Sequence, residues 1–231
     1  MLFYTCFIAL VTTSFGFILR AMVLSEWGVQ FNLTKTQLGE ITGVGLWPFA
    51  ISIVIFSLAV DKIGYKTSLV SAFICHVTSV TLTIFADGYT MLYVGTLIGA
   101  LGNGIVEAVV NPVVATMYPR EKTKWLNILH AGWPGGLVLG GIIALSMGNL
   151  GWEYKIALTL LPTVVYGLMM IPRKFPKNER VQAGVSYREM LQEVGAIGAL
   201  IIVSLIVVQL GGVFLWPNWL IITLIAVVTL G

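Results

Sequence analysis

Ser57-Leu58-Ala59-Val60-Asp61-Lys62-Ile63-Gly64-Tyr65-Lys66 sets three charges and a glycine between two long apolar runs, Leu38–Val60 and Thr67–Ala86. A helix needs about 20 mostly apolar residues to cross a bilayer core, and each run is long enough. The charged stretch then reads as a short turn between two spans. Gly64 permits a tight reversal, Asp61 is expected at the start of the following helix, where the dipole favours an acid, and the lysines mark one membrane face.

The same alternation runs outward from this turn. Further apolar runs cover Leu2–Leu24, Thr90–Met117, Asn127–Leu150, Tyr154–Ile171 and Val194–Phe214, and an eighth starts near Asn218 and is still apolar at Gly231. Barrel strands need about half that length and alternate in polarity. With 58% hydrophobic and 10% charged residues, the chain reads as all-α, a polytopic transmembrane helical bundle. A soluble domain carries roughly a quarter charged residues. The net charge of +3 lies in loops, so a nucleic-acid partner is not expected. Cys6 and Cys75 sit in apolar runs and suit neither a disulfide scaffold nor a zinc site.

The basic residues test this map. Lys62 and Lys66 fall in the second gap, Arg120, Lys122 and Lys124 in the fourth, and Arg173, Lys174, Lys177, Arg180 and Arg188 in the sixth, which is ten of the 13 Lys and Arg. By the positive-inside rule the even gaps and the N-terminus face the cytoplasm, as in a multi-pass protein of a cell's inner or plasma membrane. Thr34-Lys35-Thr36-Gln37 and Ser186-Tyr187-Arg188-Glu189 read as capping boxes, the second opening a short polar helix, Tyr187–Glu193, at the cytoplasmic surface. Trp47-Pro48 reads as a kink, Arg173–Gly184 as a linker and Pro217 as the break between the last two runs. Trp152, Trp216 and Trp219 stand at predicted helix ends, as an interfacial belt should.

The Ser57–Lys66 stretch resembles the signature loop of the major facilitator superfamily: Gly, three residues, Asp, a basic residue, any residue, Gly, then two basic residues. Ser57 replaces the leading Gly and Tyr65 the first of the closing pair. Asn103-Gly104-Ile105-Val106-Glu107-Ala108-Val109-Val110-Asn111-Pro112, then Leu126-Asn127 and Gly132-Trp133-Pro134-Gly135-Gly136, are similar to the fucose permease-like sugar transporters. The resemblance covers residues 1–172. It implies a six-helix transporter half with inverted 3+3 repeats; beyond it the residues read as a 173–193 cytoplasmic linker with a short amphipathic helix and two further helices over 194–231, the last expected to be truncated. It also implies secondary transport of a small polar, sugar-like solute by alternating access with proton coupling, as in a symporter, with Asp61, Lys62, Gly64 and Lys66 as the gating loop.

Glu107 is the leading candidate for the proton or the substrate. It lies about 11 residues, or ~16 Å, from the cytoplasmic end of its helix, near the midplane. A carboxylate there costs roughly 2.5–3.5 kcal/mol, so it faces a cavity, finds a partner or takes up a proton. Asn111 is one turn on and shares its face; it binds a substrate hydroxyl or caps backbone freed by Pro112. Arg20 stands in the first helix, where sugar–proton symporters usually offer an acid. Its guanidinium holds an anionic substrate, pairs with Glu107 or snorkels outward. Asn127 belongs to the Leu-Asn signature. His76 and His130 are the two histidines within predicted spans, and for both a hydrogen-bonded packing role competes with a substrate- or proton-binding role. Gly95 and Gly99, like Gly132, Gly136 and Gly140, recur every four residues as helix-packing faces.

No His-Glu-x-x-His, Gly-x-Ser-x-Gly or paired intramembrane aspartates occur, so neither an enzyme nor a cofactor or metal is expected. Carriers of this class use two six-helix halves around a central site. The expected partners are therefore the bilayer, the solute, protons, and a missing second half or a dimer partner. A truncated or split transporter is the main reading; a non-transporting membrane subunit or scaffold fragment is the alternative.

Overall fold

The computed structural model describes residues 1–230, except the side chains of Tyr187, Met190, Leu191, Glu193, Val194, Ala196 and Leu230. Gly231, the last residue of the eighth run, lies outside the described residues. The chain is 82% helix, with no strand among the described residues. The helices are α1 (Leu2–Gln30), α2 (Lys35–Gly43), α3 (Trp47–Ile63), α4 (Tyr65–Ile84), α5 (Tyr89–Met117), α6 (Lys122–Ser146), α7 (Trp152–Ala157), α8 (Leu160–Met170), α9 (Glu179–Gln182), α10 (Tyr187–Val213) and α11 (Asn218–Leu230). Among the described residues five segments are long and apolar enough to span a membrane: α1, α2 with α3, α4, α5 and α6.

Two of the expected spans are broken. The second starts at the Thr34 capping box, whose hydroxyl accepts from the Gln37 N–H, and stops at Val44. Pro48 follows in the first turn of α3; it has no N–H to continue the ladder back to Val44, so the kink read from Trp47-Pro48 is a full interruption over residues 44–46. The sixth span is split between α7 and α8, where Pro162 cannot donate to the Leu158 carbonyl.

Contacts divide the chain at Asn178, with Met1–Asn178 forming one compact unit. Helix α5 is its centre and packs on α4, α3, α1 and α6. One core cluster joins Phe3, Leu10, Leu69, Val106, Val110 and Tyr166. A second joins Leu19, Val23, Trp27, Ile41, Leu92 and Trp152. The glycine faces work as packing surfaces. A Cβ on Gly95 would lie 2.7 Å from Thr83 Oγ1 of α4, and one on Gly132 would lie 2.9 Å from the Phe7 ring of α1. Outward, the unit shows large apolar side chains such as Ile55, Ile74, Val138, Ile142 and Leu168. Such a surface is a liability in water and at home in lipid.

The unit from Glu179 onward holds α9, α10 and α11. Ser186 and Glu189 close the expected capping box. Helix α10 kinks at Gly195, which has φ 67°, a left-handed conformation open to glycine; the kink separates the polar first turns from the apolar remainder. Helix α11 packs back on α10, where a Cβ on Gly211 would lie 2.5 Å from Ile221 Cδ1.

Two expectations are corrected. Asp61 lies in the last turn of α3, not at the start of α4, because Gly64 (φ 85°) ends α3 and Tyr65 begins α4. The dipole there opposes an acid, and Asp61 instead accepts a hydrogen bond from the Asn178 amide. Trp152 is not a lipid-facing belt residue. It is 3% exposed, meets Trp27 edge-on with ring centroids 5.9 Å apart, and donates to Gln30 Oε1 at 2.6 Å.

Candidate functional site

A cavity of about 140 Å³ opens where α1, the α2–α3 break and α5 meet; its wall includes Arg20, Trp27, Thr42, Gly45, Thr96 and Asn103. The local sequence explains the opening. Gly16 and Ala21 on α1, Gly45 in the break and Ala100 on α5 offer little bulk, so the three segments enclose space that larger side chains would fill.

Arg20 is the charge in this wall. Its Nη1 donates to the Gly16 carbonyl at 3.0 Å and its Nη2 to Ser79 Oγ at 2.6 Å. Ser79 in turn donates to the Gly95 carbonyl at 2.5 Å. The guanidinium is held from two sides, yet its Nε is buried without a hydrogen-bond partner among the described residues. Trp27 Nε1 is in the same condition. Thr42 and Thr96 direct their hydroxyl protons to carbonyls of their own helices, at 2.9 and 2.8 Å. Among the described residues no Asp or Glu lines the cavity. The wall therefore presents positive charge and N–H donors, which suits an anion.

Glu107 and Asn111 are brought together one turn apart on α5. The Asn111 amide donates both to the Glu107 carbonyl and to Glu107 Oε2, each at 3.0 Å. The carbonyl that Pro112 deprives of a helical donor is that of Ala108, so Asn111 does not cap it. Asn111 Oδ1 stays buried without a partner among the described residues. The Arg20–Glu107 ion pair does not form; among the described residues Arg20 has no carboxylate partner.

The two histidines part company. His76 is 3% exposed and bonded on both ring nitrogens, to Tyr166 Oη and to Asn103 Oδ1, each at 3.0 Å. His130 lies exposed on α6, as does Asn127; the packing role weighed for His130 does not hold, because the helix turns it away from the core.

In the α3–α4 turn, Lys66 donates to the Ile171 carbonyl at 2.7 Å, closing the C-terminal end of α8. Lys62 is exposed, while Tyr65 is buried in the first core cluster, which accounts for a tyrosine where the superfamily loop has a basic residue. The basic loop before α6 is braced by Trp125, stacked on Tyr118 at 4.0 Å. There a hydrogen bond from Lys124 holds the Glu121 carboxyl below the usual carboxylate range.

Asn103, Trp27, Ser79 and Thr96 belong to this region although their types alone gave no reason to single them out. The one available signal was spacing: Asn103 stands one turn before Glu107 on α5.

The family model for the Major Facilitator Superfamily matches residues 2–231. The chain is similar to the gentisate transporter of Corynebacterium glutamicum, with 24% identity over 76% of this chain and 40% of that protein. It is also similar to the hexuronate transporter of Bacillus subtilis, with 22% identity over 64% of this chain and 35% of that protein. Among solved structures, the inward-open xylose transporter XylE from E. coli superposes with a TM-score of 0.69 at 12% identity, covering 95% of this chain and 62% of that one. A peptide transporter bound to sulfate gives 0.68 at 13% identity, covering 92% of this chain and 51% of that one. The chain thus spans 40% or less of these curated relatives. The match carries the superfamily, not the fucose permease-like branch.

Proposed function

The chain belongs to the Major Facilitator Superfamily, and from that premise we propose that it supplies one half of a secondary transporter for a small carboxylate-bearing solute, moved by alternating access with proton coupling through Glu107. The observation that carries this reading is Arg20: a guanidinium in a cavity wall with no acidic partner among the described residues. Burying an unpaired charge is expensive, and a solute carboxylate would offset that cost. The names of two relatives fit, since gentisate and hexuronate both carry a carboxylate, and a hexuronate is also sugar-like. Glu107 and Asn111 are not among the residues that line this cavity; the proton role rests on Glu107 as a half-buried carboxylate inside a membrane-length helix, with Asn111 positioning its carboxyl group.

In this reading the 1–172 half holds two inverted three-helix repeats, 173–193 is a cytoplasmic linker, 194–231 adds two helices, and the N-terminus faces the cytoplasm. Asn127 and His130, exposed on α6, line the path once a second half or a second copy closes over them. The α3–α4 turn serves as the gate, its Asp61 and Lys66 already joined to the end of α8 and the residues after it.

Uptake of gentisate and of glucuronate by the full-length protein in proteoliposomes tests the proposal. Arg20→Ala is expected to abolish uptake. Glu107→Gln is expected to lose acceleration by an inward proton gradient while retaining solute exchange. Uptake indifferent to Arg20→Ala sinks the carboxylate reading; unchanged gradient dependence in Glu107→Gln sinks the proton role.

A further inference from the structure

The cavity holds a second recognition group. Asn103 is 8% exposed and forms part of the wall beside Arg20. Its Oδ1 is tied to His76 Nε2 at 3.0 Å. An amide oxygen only accepts, so Nε2 carries the imidazole proton and Nδ1 accepts from the Tyr166 hydroxyl at 3.0 Å. Tyr166 is fully buried and meets the His76 ring edge-on, with interplanar angle 89°. Gly102 lets the ring approach α5; a Cβ there would lie 2.9 Å from His76 Cδ2. Three helices, α4, α5 and α8, thus set the rotation of one amide group. With Oδ1 occupied, Nδ2 makes no hydrogen bond among the described residues, and it belongs to a side chain in the cavity wall.

We propose that Asn103, oriented by His76 and Tyr166, reads a hydroxyl or carbonyl oxygen of the solute beside the carboxylate held by Arg20. This rests on the carboxylate reading and adds a specificity to it. In an apolar core, three linked polar side chains are costly compared with packed hydrophobes; aiming an amide donor into a cavity gives them a use. A site built to bond a substrate oxygen rejects analogues lacking it, because its own donor is left unpaired. His76 and Tyr166 are positioning residues; Asn103 is the one in the wall.

The test compares benzoate with the three monohydroxybenzoates, by calorimetry on the full-length protein in nanodiscs. The unmodified protein should bind one hydroxybenzoate at least tenfold more tightly than benzoate. Asn103→Ala should lose that preference to within twofold, with benzoate affinity changed less than the affinity for the preferred acid. His76→Phe should do the same, and Tyr166→Phe should lose part of it. Nitrogen-15 NMR of His76 should show the Nε2–H tautomer. A preference that survives Asn103→Ala, no preference at the outset, or an Nδ1–H tautomer, which would turn the amide oxygen into the cavity, overturns the proposal. Binding of none of the four acids, or binding indifferent to Arg20→Ala, is the separate signature of a failed carboxylate reading.

Discussion

Arg20 and Glu107 each bring a charge into the middle of a span, and each solves the problem differently. Glu107 takes its donor from its own helix, through Asn111. Arg20 reaches across to Ser79 on α4 and back to Gly16, using the divergent N–H groups of its fork. Lysine has the charge without the fork. We expect Arg20→Lys to raise KM for the carboxylate solute about tenfold, the order of one charge-assisted hydrogen bond, with kcat little changed, since the interaction is made in the ground state. Uptake kinetics in proteoliposomes check this, and a lysine that works as well as arginine would mean that charge alone is used. The acid and the arginine were both legible in the sequence, because a charge in an apolar run stands out. Asn103 and Trp27 were not: one neutral amide or one more tryptophan in a membrane helix has many structural uses.

At the scale of elements, close helix approach decides where Arg20 sits. Gly95 and Gly99 were readable as a packing face. That Gly99 also makes room for the guanidinium was not readable, since it depends on which helix lies opposite. A Cβ at Gly99 would fall 2.6 Å from Ser79 Oγ and 2.8 Å from Arg20 Nη2. Gly99→Ala should cost about 1–3 kcal/mol, as overpacking does, and weaken solute binding together with stability. Gly135→Ala, where a Cβ meets nothing within 4 Å, should be near neutral. Melting of the two variants in detergent checks the pair; equal melting temperatures would refute the packing argument. Both breaks, α2–α3 and α7–α8, lie near prolines visible in the sequence. Only the first was anticipated, because an uninterrupted apolar run conceals a broken hydrogen-bond ladder.

For the whole molecule, the unit Met1–Asn178 contains both core clusters, the cavity, and the bonds from Asp61 to Asn178 and from Lys66 to Ile171. A chain ending at Asn178 should therefore insert and melt cooperatively in detergent, at a temperature within a few degrees of the 231-residue chain; aggregation or loss of helical circular dichroism would show that α9–α11 are needed for folding. The sequence by itself determined the helical class, the reversal at Gly64, the two capping boxes and the charge alternation between gaps, because lipid forces backbone groups to bond within each segment and tolerates few charges. Only the tertiary structure decided that Arg20 meets no acidic partner among the described residues, that His76 joins Asn103 to Tyr166, and that Asp61 ends α3 instead of starting α4. Those facts depend on which helix faces fall opposite one another, and side-chain spacing along a single helix carries no information about the neighbour across the gap.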